Sequence, residues 1–407
     1  MNSGNKREES VLKTRILFLS YQSTCNGAPR VLHSMVCALD RNRIESHVVF
    51  NADGPIVKEF AGVTSTTVLG MLKIPVRGIF RDIRRLAIRM VHRWKLRRIL
   101  ESFRPDLIFV NTISRSEAVD WAMELKQIPL VVYCHEIDGT VMINYPQEWL
   151  EKLAQRCDLF LGCSQAVCEF LERCLNIDHE RIMTFPASLD LELIQARRLE
   201  DAGSVRERLG FSRESFLIGG VGYPNFRKGV DLFIDAASIA VKSRPDLPLC
   251  FVWIGGSAEL HNQPYTRAMR QLVKKRGIEE RFRWVTEVAD PFSIMHALSA
   301  QVSTAREEPV GLAIVEAMVI GTPVIAFGVG GITELLSDGR GLLVESVSSA
   351  RMAEAILQFV SNPEDAEEMK QRSHREISAH YDIKKTIVPV VDALEQLVRR
   401  NASHQGV

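Results

Sequence analysis

Short apolar runs alternate with helical patterns along almost the whole chain, and this alternation constrains the fold more than any other sequence feature. Arg15–Tyr21 (RILFLSY) is an apolar run followed by a polar turn and by apolar residues at helical spacing over Val31–Leu39. Such a run suits a strand buried on both faces, and the following helix supplies the crossover that a parallel neighbour requires. Ser46–Asn51, Leu107–Asn111, Leu130–Cys134 and Leu159–Cys163 repeat the pattern. A polar, charged interval follows, Leu189–Arg208. A second series then opens at Phe216–Val221 and continues with Leu249–Ile254, Phe282–Glu287, Pro323–Phe327 and Gly341–Val344. Helical patterns such as Val230–Val241 and Met352–Phe359 separate these runs. Two α/β series divided by a polar linker predict two Rossmann-like domains, 15–200 and 201–385. Residues 1–14 read as a flexible tail, and 386–407 as a closing helix and tail that crosses back to the first domain. A chain of 407 residues is long enough for two such cores.

Several function classes drop out on composition. Eight cysteines contain no C-x-x-C pair. Cys157, Cys163, Cys168 and Cys174, with His179, fall in a stretch read as largely helical, where a thiol behaves as a small buried hydrophobe. No metal site is expected, and reduced thiols point to the cytoplasm. The polar residues 1–14 lack the apolar core of a signal peptide. Gly311–Gly331 is nearly uncharged, but its Gly-x-Pro break reads as helix, turn and strand rather than a membrane span.

The charge is balanced, 51 Lys and Arg against 50 Asp and Glu, which argues against a nucleic-acid partner. It is also segregated. Residues 71–100 hold ten basic residues and one acid, Asp82, leaving the rest of the chain net negative. Arginines recur every fourth residue, at Arg77, Arg81, Arg85, Arg89, Arg93 and Arg97. Phe80, Ile83, Ala87, Met90 and Trp94 form the opposing apolar stripe. This predicts an amphipathic helix that either rests on an anionic membrane surface or packs its apolar stripe on the core with a solvated basic face.

The stretch richest in chemistry is Arg306–Gly331, REEPVGLAIVEAMVIGTPVIAFGVGG. With Glu308 in a strand-to-helix turn and a helix opening near Gly311, the amides around Leu312 lack intrahelical partners. Together with the positive end of the helix dipole they make a phosphate site. Glu308 and Glu316 then flank that site as acceptors for hydroxyl groups, an arrangement that suits a nucleotide sugar.

Arg306 through Glu334, with its Gly-Thr-Pro-Val turn and Gly330-Gly331 ending, resembles the signature of the retaining glycosyltransferases of family 4. That resemblance implies an α/β GT-B fold of two facing Rossmann-like domains and transfer of a sugar from a nucleotide donor. It places Glu308 at the donor sugar and Glu316 at the ribose. Arg227-Lys228-Gly229 resembles the family's Lys-Gly-x-Asp element, with Lys228 at the donor diphosphate. The family's arginine five residues earlier is Tyr223 here, and Arg227 is the candidate substitute. Asn26-Gly27-Ala28-Pro29-Arg30-Val31 resembles the family's glycine loop, which puts Gly27 beside donor phosphate or acceptor, although an ordinary turn explains the same residues.

His135-Glu136 ends an apolar strand, where side chains project into the ligand crevice of a parallel sheet. The resemblance puts His135 near the transferred sugar; the alternative is a half-buried histidine satisfied by a backbone carbonyl. Asn111 and Glu136 are assigned to the acceptor side. Gln301 stands where the family has an aspartate, and Ala187-Ser188 where it has Asn-Gly.

The expected activity is therefore retaining, metal-independent glycosyl transfer to a glycan or lipid-linked acceptor. Catalytic roles fall to Glu308 and His135, and donor binding to Lys228, Arg227, Glu316, Gly311, Leu312 and Gly27. A non-catalytic sugar-nucleotide-binding paralogue, or an epimerase or phosphorylase of the same fold, fits the same donor motif.

Overall fold

A computed structural model describes residues 13–25, 27–70, 80–256, 263–286 and 290–405. The chain divides into two compact units. The first comprises residues up to Cys163, Cys168–Leu189 and the segment from Ile383 onward; the second comprises Ser164–Val167 and Asp190–Asp382.

The first unit is built on a parallel sheet of β1 (Thr14–Ser20), β2 (Ile44–Phe50), β3 (Ser65–Val68), β4 (Leu107–Asn111), β5 (Leu130–Cys134), β6 (Leu159–Gly162) and β7 (Ile182–Thr184). Its spatial order is β3-β2-β1-β4-β5-β6-β7. The central strands β4 and β5 are buried along their full length, as their apolar sequences, broken only by Asn111 at the end of β4, require. The sequence gives no strand signal for β3 and β7. Both are short edge strands, half-buried and partly polar, so each lacks the two-sided burial that writes an apolar run.

The second unit repeats the plan with β8 (Phe216–Val221), β9 (Leu249–Ile254), β10 (Phe282–Val285), β11 (Ala300–Ser303), β12 (Val324–Phe327) and β13 (Leu342–Val344), in the order β10-β9-β8-β11-β12-β13. All pairings in both sheets are parallel, with β1 flanked by β2 and β4, and β8 by β9 and β11. The strand order therefore reverses between β1 and β4 and again between β8 and β11. Crevices for ligands form beyond the carboxyl ends of strands at such switch points. Gly27 follows β1 and Asn111 ends β4, whereas Lys228 and Glu308 follow β8 and β11.

The helix Ile383–Gln405 belongs to the first unit. Arg43 binds Asp392 at 2.7 Å and Glu395 at 2.9 Å, and Asn401 Nδ2 donates to the Gln127 carbonyl at 3.0 Å.

The basic segment forms the helix Phe80–Phe103, but not with the orientation its apolar stripe suggests. Residues 71–79 and the side chains of 80–85, hence Arg77, Arg81, Arg85, Phe80 and Ile83, lie outside the description. Further along, His92, Leu96 and Ile99 are buried while Leu86, Met90 and Trp94 are exposed. The helix thus packs on the core through His92, Leu96 and Ile99 rather than through Met90 and Trp94, while Arg97 and Arg98 stay exposed. Arg89 and Arg93 turn onto Glu117, and Arg93 also reaches Glu124, so an acidic neighbouring helix decides which face turns inward. His92 Nε2 at 2.8 Å from the Gly70 carbonyl and Lys95 Nζ on the Val68 and Leu69 carbonyls fix that rotation.

The cysteine run is also less helical than its spacing suggests. Cys157 and Cys163 follow a helix and a strand, respectively, and Cys168 and Cys174 share the helix Gln165–Leu175. Among the described residues, no group of three His, Cys, Asp or Glu side chains is placed to hold a metal ion.

Candidate functional site

In the second unit, chemistry gathers where β8 and β11 end. Gly229 (φ +65°) opens the helix Val230–Ser243, and a Cβ there would lie 1.9 Å from the Thr304 carbonyl oxygen. Only glycine permits that approach. Thr304 Oγ1 donates to the Gly229 carbonyl at 2.8 Å, which ties the two strand ends together.

This junction brings Lys228 onto the Glu308 carboxylate, and Arg227 Nη1 lies 3.3 Å from the same oxygen, Oε2. Glu308 is buried. Burial alone would raise its pKa, but the charges of Lys228 and Arg227 outweigh it and hold the carboxyl below its ordinary value. Two cations thus share one buried anion, leaving a net positive charge at the switch point.

Glycines pack against the backbone of the residue that carries this carboxylate. Gly330 (φ +51°) packs so closely that a Cβ would lie 2.3 Å from the Glu308 carbonyl oxygen, and one on Gly331 would lie 2.1 Å from that of Pro309. Gly331 N donates to the Glu308 carbonyl at 3.1 Å. The paired glycines of the motif are therefore a consequence of backbone contact with the Glu308–Pro309 turn.

Gly311 (φ +87°) caps the helix Leu312–Val319 without a capping side chain. Its carbonyl accepts from Ile314 N and Val315 N, so the Leu312 and Ala313 amides have no intrahelical acceptor. Glu316 stands on the same helix, half-buried. Gln301 is buried and donates Nε2 to the Ala313 carbonyl at 3.1 Å, bracing the start of that helix against β11. Tyr223 is exposed, with its hydroxyl 3.4 Å from Gln263 Oε1.

In the first unit, β1, β4 and β5 present the other candidate residues. Gly27 (φ +56°) caps the helix Ala28–Ala38, and a Cβ on it would meet nothing within 4 Å. Its glycine is required by backbone conformation rather than by crowding. Asn111 is buried; Nδ2 donates to the Ala28 carbonyl at 3.1 Å, and Oδ1 lies 3.0 Å from His135 Nε2. The alternative in which a backbone carbonyl satisfies His135 is therefore replaced by a side-chain amide. Burial pulls the His135 pKa down to about 3, so the imidazole is neutral at physiological pH.

Glu136 Oε2 accepts from the amides of Ile113 and His135, at 3.1 and 3.0 Å, and so fastens the ends of β4 and β5. Between them Thr112 adopts φ +92°, a strained conformation for a β-branched residue. Its amide on the Tyr133 carbonyl and its hydroxyl on Ser114 hold it there.

Sequence reasoning missed residues in both units. Tyr145 lies close enough to Glu136 and Tyr21 that burial, with their charges added, pushes its phenol up to about 12. A slot lined by Tyr21, Asn51, Ser114 and Ser116 opens at the ends of β1 and β2. Tyr21 and Asn51 end apolar runs, the signal that could have found them; Tyr145 carries no local signal. In the second unit Arg306 and Asp231 form a bidentate pair, Nη1–Oδ1 2.9 Å and Nη2–Oδ2 2.6 Å, across 75 residues of sequence.

Comparison with known proteins finds a match for each unit. The family model for Glycosyltransferase Family 4 matches residues 25–193, and that for Glycosyl transferases group 1 matches 203–376. D-inositol 3-phosphate glycosyltransferase 1 of Catenulispora acidiphila is 34% identical over 193 residues, 45% of this chain and 44% of that protein. The lipopolysaccharide core biosynthesis mannosyltransferase LpsB of Rhizobium meliloti is 26% identical over 220 residues, 53% of this chain and 58% of that protein. The chain spans about half the length of these curated relatives. Among solved structures, Anabaena Alr3699/HepE in complex with UDP and glucose superposes with TM-score 0.78, covering 94% of this chain and 100% of that one at 21% identity. At that identity the likeness is one of fold, and the fold is GT-B.

Proposed function

Since this chain belongs to the family 4 glycosyltransferases, we propose that it moves a sugar from a nucleotide-sugar donor to a hydroxyl of a glycan or lipid-linked acceptor, with retention of anomeric configuration. The observation that carries this is the buried Glu308 carboxylate under Lys228 and Arg227, beside the Leu312 and Ala313 amides at the β8/β11 switch point. A nucleotide sugar is the ligand such a site suits: a diphosphate for the cations and amides, a sugar hydroxyl for Glu308 and ribose hydroxyls for Glu316.

In the proposed reaction the bond from the anomeric carbon to the diphosphate oxygen breaks while the acceptor oxygen bonds to that carbon on the same face. The acceptor proton passes to the departing phosphate oxygen. Lys228, Arg227 and the helix amides stabilise the charge that develops there. Arg227 supplies the cation that Tyr223 does not. With these groups supplying the positive charge, catalysis needs no metal, and a chelator should leave the rate unchanged. His135, neutral, accepts a hydrogen bond from the sugar at Nδ1, with Gly27 toward the donor and Asn111 on the acceptor side. Glu136 acts there by holding the loop.

No described helix is long and apolar enough to cross a membrane. The exposed Leu86, Met90 and Trp94, with Arg98 stacked 4.4 Å over the Trp94 ring, favour attachment to an anionic membrane surface, from the cytoplasmic side.

A panel of nucleotide sugars, read by nucleoside-diphosphate release with and without a lipid or glycan extract, tests the activity. Release that rises with extract, and a product of unchanged anomeric configuration by NMR, support it. Binding without turnover under every condition would establish the non-catalytic alternative.

A further inference from the structure

We propose that Arg306 is the positioning residue of this site: its guanidinium fastens the segment 226–231 to the segment 304–308 and so holds Arg227 and Lys228 over Glu308. The proposal rests on the reading of that cluster as the donor site.

Five contacts converge on this one residue. Its guanidinium grips Asp231 through two parallel hydrogen bonds, and Nη1 also donates to the Phe226 carbonyl at 2.8 Å. The Phe226 ring, largely exposed, lies 3.9 Å from the guanidinium carbon. The Arg306 amide donates to the Arg227 carbonyl at 2.8 Å. Arg227 answers by donating Nη1 to the Glu307 carbonyl at 2.8 Å. Arg306 thus touches residues on both sides of Arg227-Lys228 but forms no ion pair with Glu308 itself.

The chemistry demands arginine. A planar guanidinium can satisfy a carboxylate bidentately, bond a carbonyl and stack on a ring at once; an ammonium group cannot. Asp231 is well placed as the partner, since it sits in the first turn of the helix Val230–Ser243, where the helix dipole favours an anion, and Tyr265 hydroxyl reaches it at 3.3 Å. With both side chains only about a quarter exposed, solvent screens the pair less than a surface bridge. A simple ion pair would stabilise the fold without affecting Glu308. A clamp would also set how closely the two cations approach that carboxylate.

The test follows the titration of the Glu308 carboxyl by ¹³C NMR on glutamate-labelled protein, its resonance assigned by loss in Glu308→Gln. The charged groups facing it are Lys228 and Arg227; the Gly330-Gly331 side contributes none. In Arg306→Gln the cations loosen and the titration midpoint rises above that of wild type. The isosteric Asp231→Asn does the same should the first variant fold poorly, and the double variant adds little to either single one. Arg306→Lys does not restore the wild-type midpoint. In parallel, calorimetry with UDP and GDP shows whichever diphosphate binds wild type to bind about tenfold more weakly in Arg306→Gln, while the matching nucleoside is unaffected. An unchanged Glu308 midpoint in a folded variant overturns the clamp. If wild type binds neither diphosphate, the donor assignment fails, while the carboxyl titration still decides the clamp.

Discussion

His135 Nε2 lies 3.0 Å from Asn111 Oδ1, and this contact fixes which ring nitrogen carries the proton. Asn111 must donate Nδ2 to the Ala28 carbonyl, so its oxygen faces the imidazole. Nε2 therefore holds the hydrogen, and Nδ1 is the acceptor. With a pKa near 3, His135 stays in this form from weakly acidic to alkaline pH. The His135 ring resonances should not titrate between pH 5 and 8, and a midpoint near 6.5, the ordinary imidazole value, would contradict the burial. The same shift bears on stability. The unfolded chain takes up a proton below its ordinary histidine pKa and the folded one does not, so the His135 contribution is present above that pKa and declines toward pH 3. His135→Asn should flatten that part of the acid unfolding profile.

Glu308→Gln should fold and lose about 100-fold or more in turnover, if its charge serves the developing transition state. Its stability difference from wild type has a definite pH dependence. The folded carboxyl is held below its ordinary value, so the ionised group stabilises above the ordinary carboxylate range, and that contribution fades as the pH falls through the depressed value. Melting temperatures of the two proteins should therefore approach each other in acid. A gap that widens on acidification would reverse the assigned sign.

Lys228→Ala should weaken binding of UDP or GDP by about 1.5–3 kcal/mol while sparing the nucleoside, because lysine answers phosphate charge and not the base. Glu316→Ala should weaken both ligands comparably, since the ribose is common to them. Calorimetry of the four combinations separates the roles. Equal losses in Lys228→Ala would remove that residue from the diphosphate.

Gly330→Ala combines a left-handed backbone with a Cβ 2.3 Å from the Glu308 carbonyl oxygen. It should cost about 2–3 kcal/mol by chemical denaturation and lower activity beyond the loss of folded protein. Gly27→Ala meets no neighbouring atom and should cost only the backbone strain, about 1 kcal/mol.

Sedimentation with phosphatidylserine vesicles tests the membrane surface. Binding should weaken in Met90→Ser with Trp94→Ser, and fall with salt as Arg97 and Arg98 are screened. Arg89→Gln should matter less, because Arg89 already bonds Glu117 at 2.9 Å. Loss of binding in Arg89→Gln alone would place the contact on the opposite face.

The local pattern was enough for much of the fold. Leu107–Asn111, Leu130–Cys134, Phe216–Val221 and Leu249–Ile254 are strands to the residue, since burial on both faces leaves an apolar run with abrupt ends. Gly229, Gly311 and the Gly330-Gly331 pair were legible as well, because the close approaches and left-handed turns they permit exclude other residues. Edge strands such as Ile182–Thr184 carry no such run. What only tertiary structure decided lies in contacts distant in sequence: which face of Phe80–Phe103 meets Glu117, that Asn111 orients His135, and that Arg306 reaches Asp231 across 75 residues. Side-chain charge and spacing register along the chain, but the partner that neutralises or orients a group is chosen by the strand order that places two loops side by side.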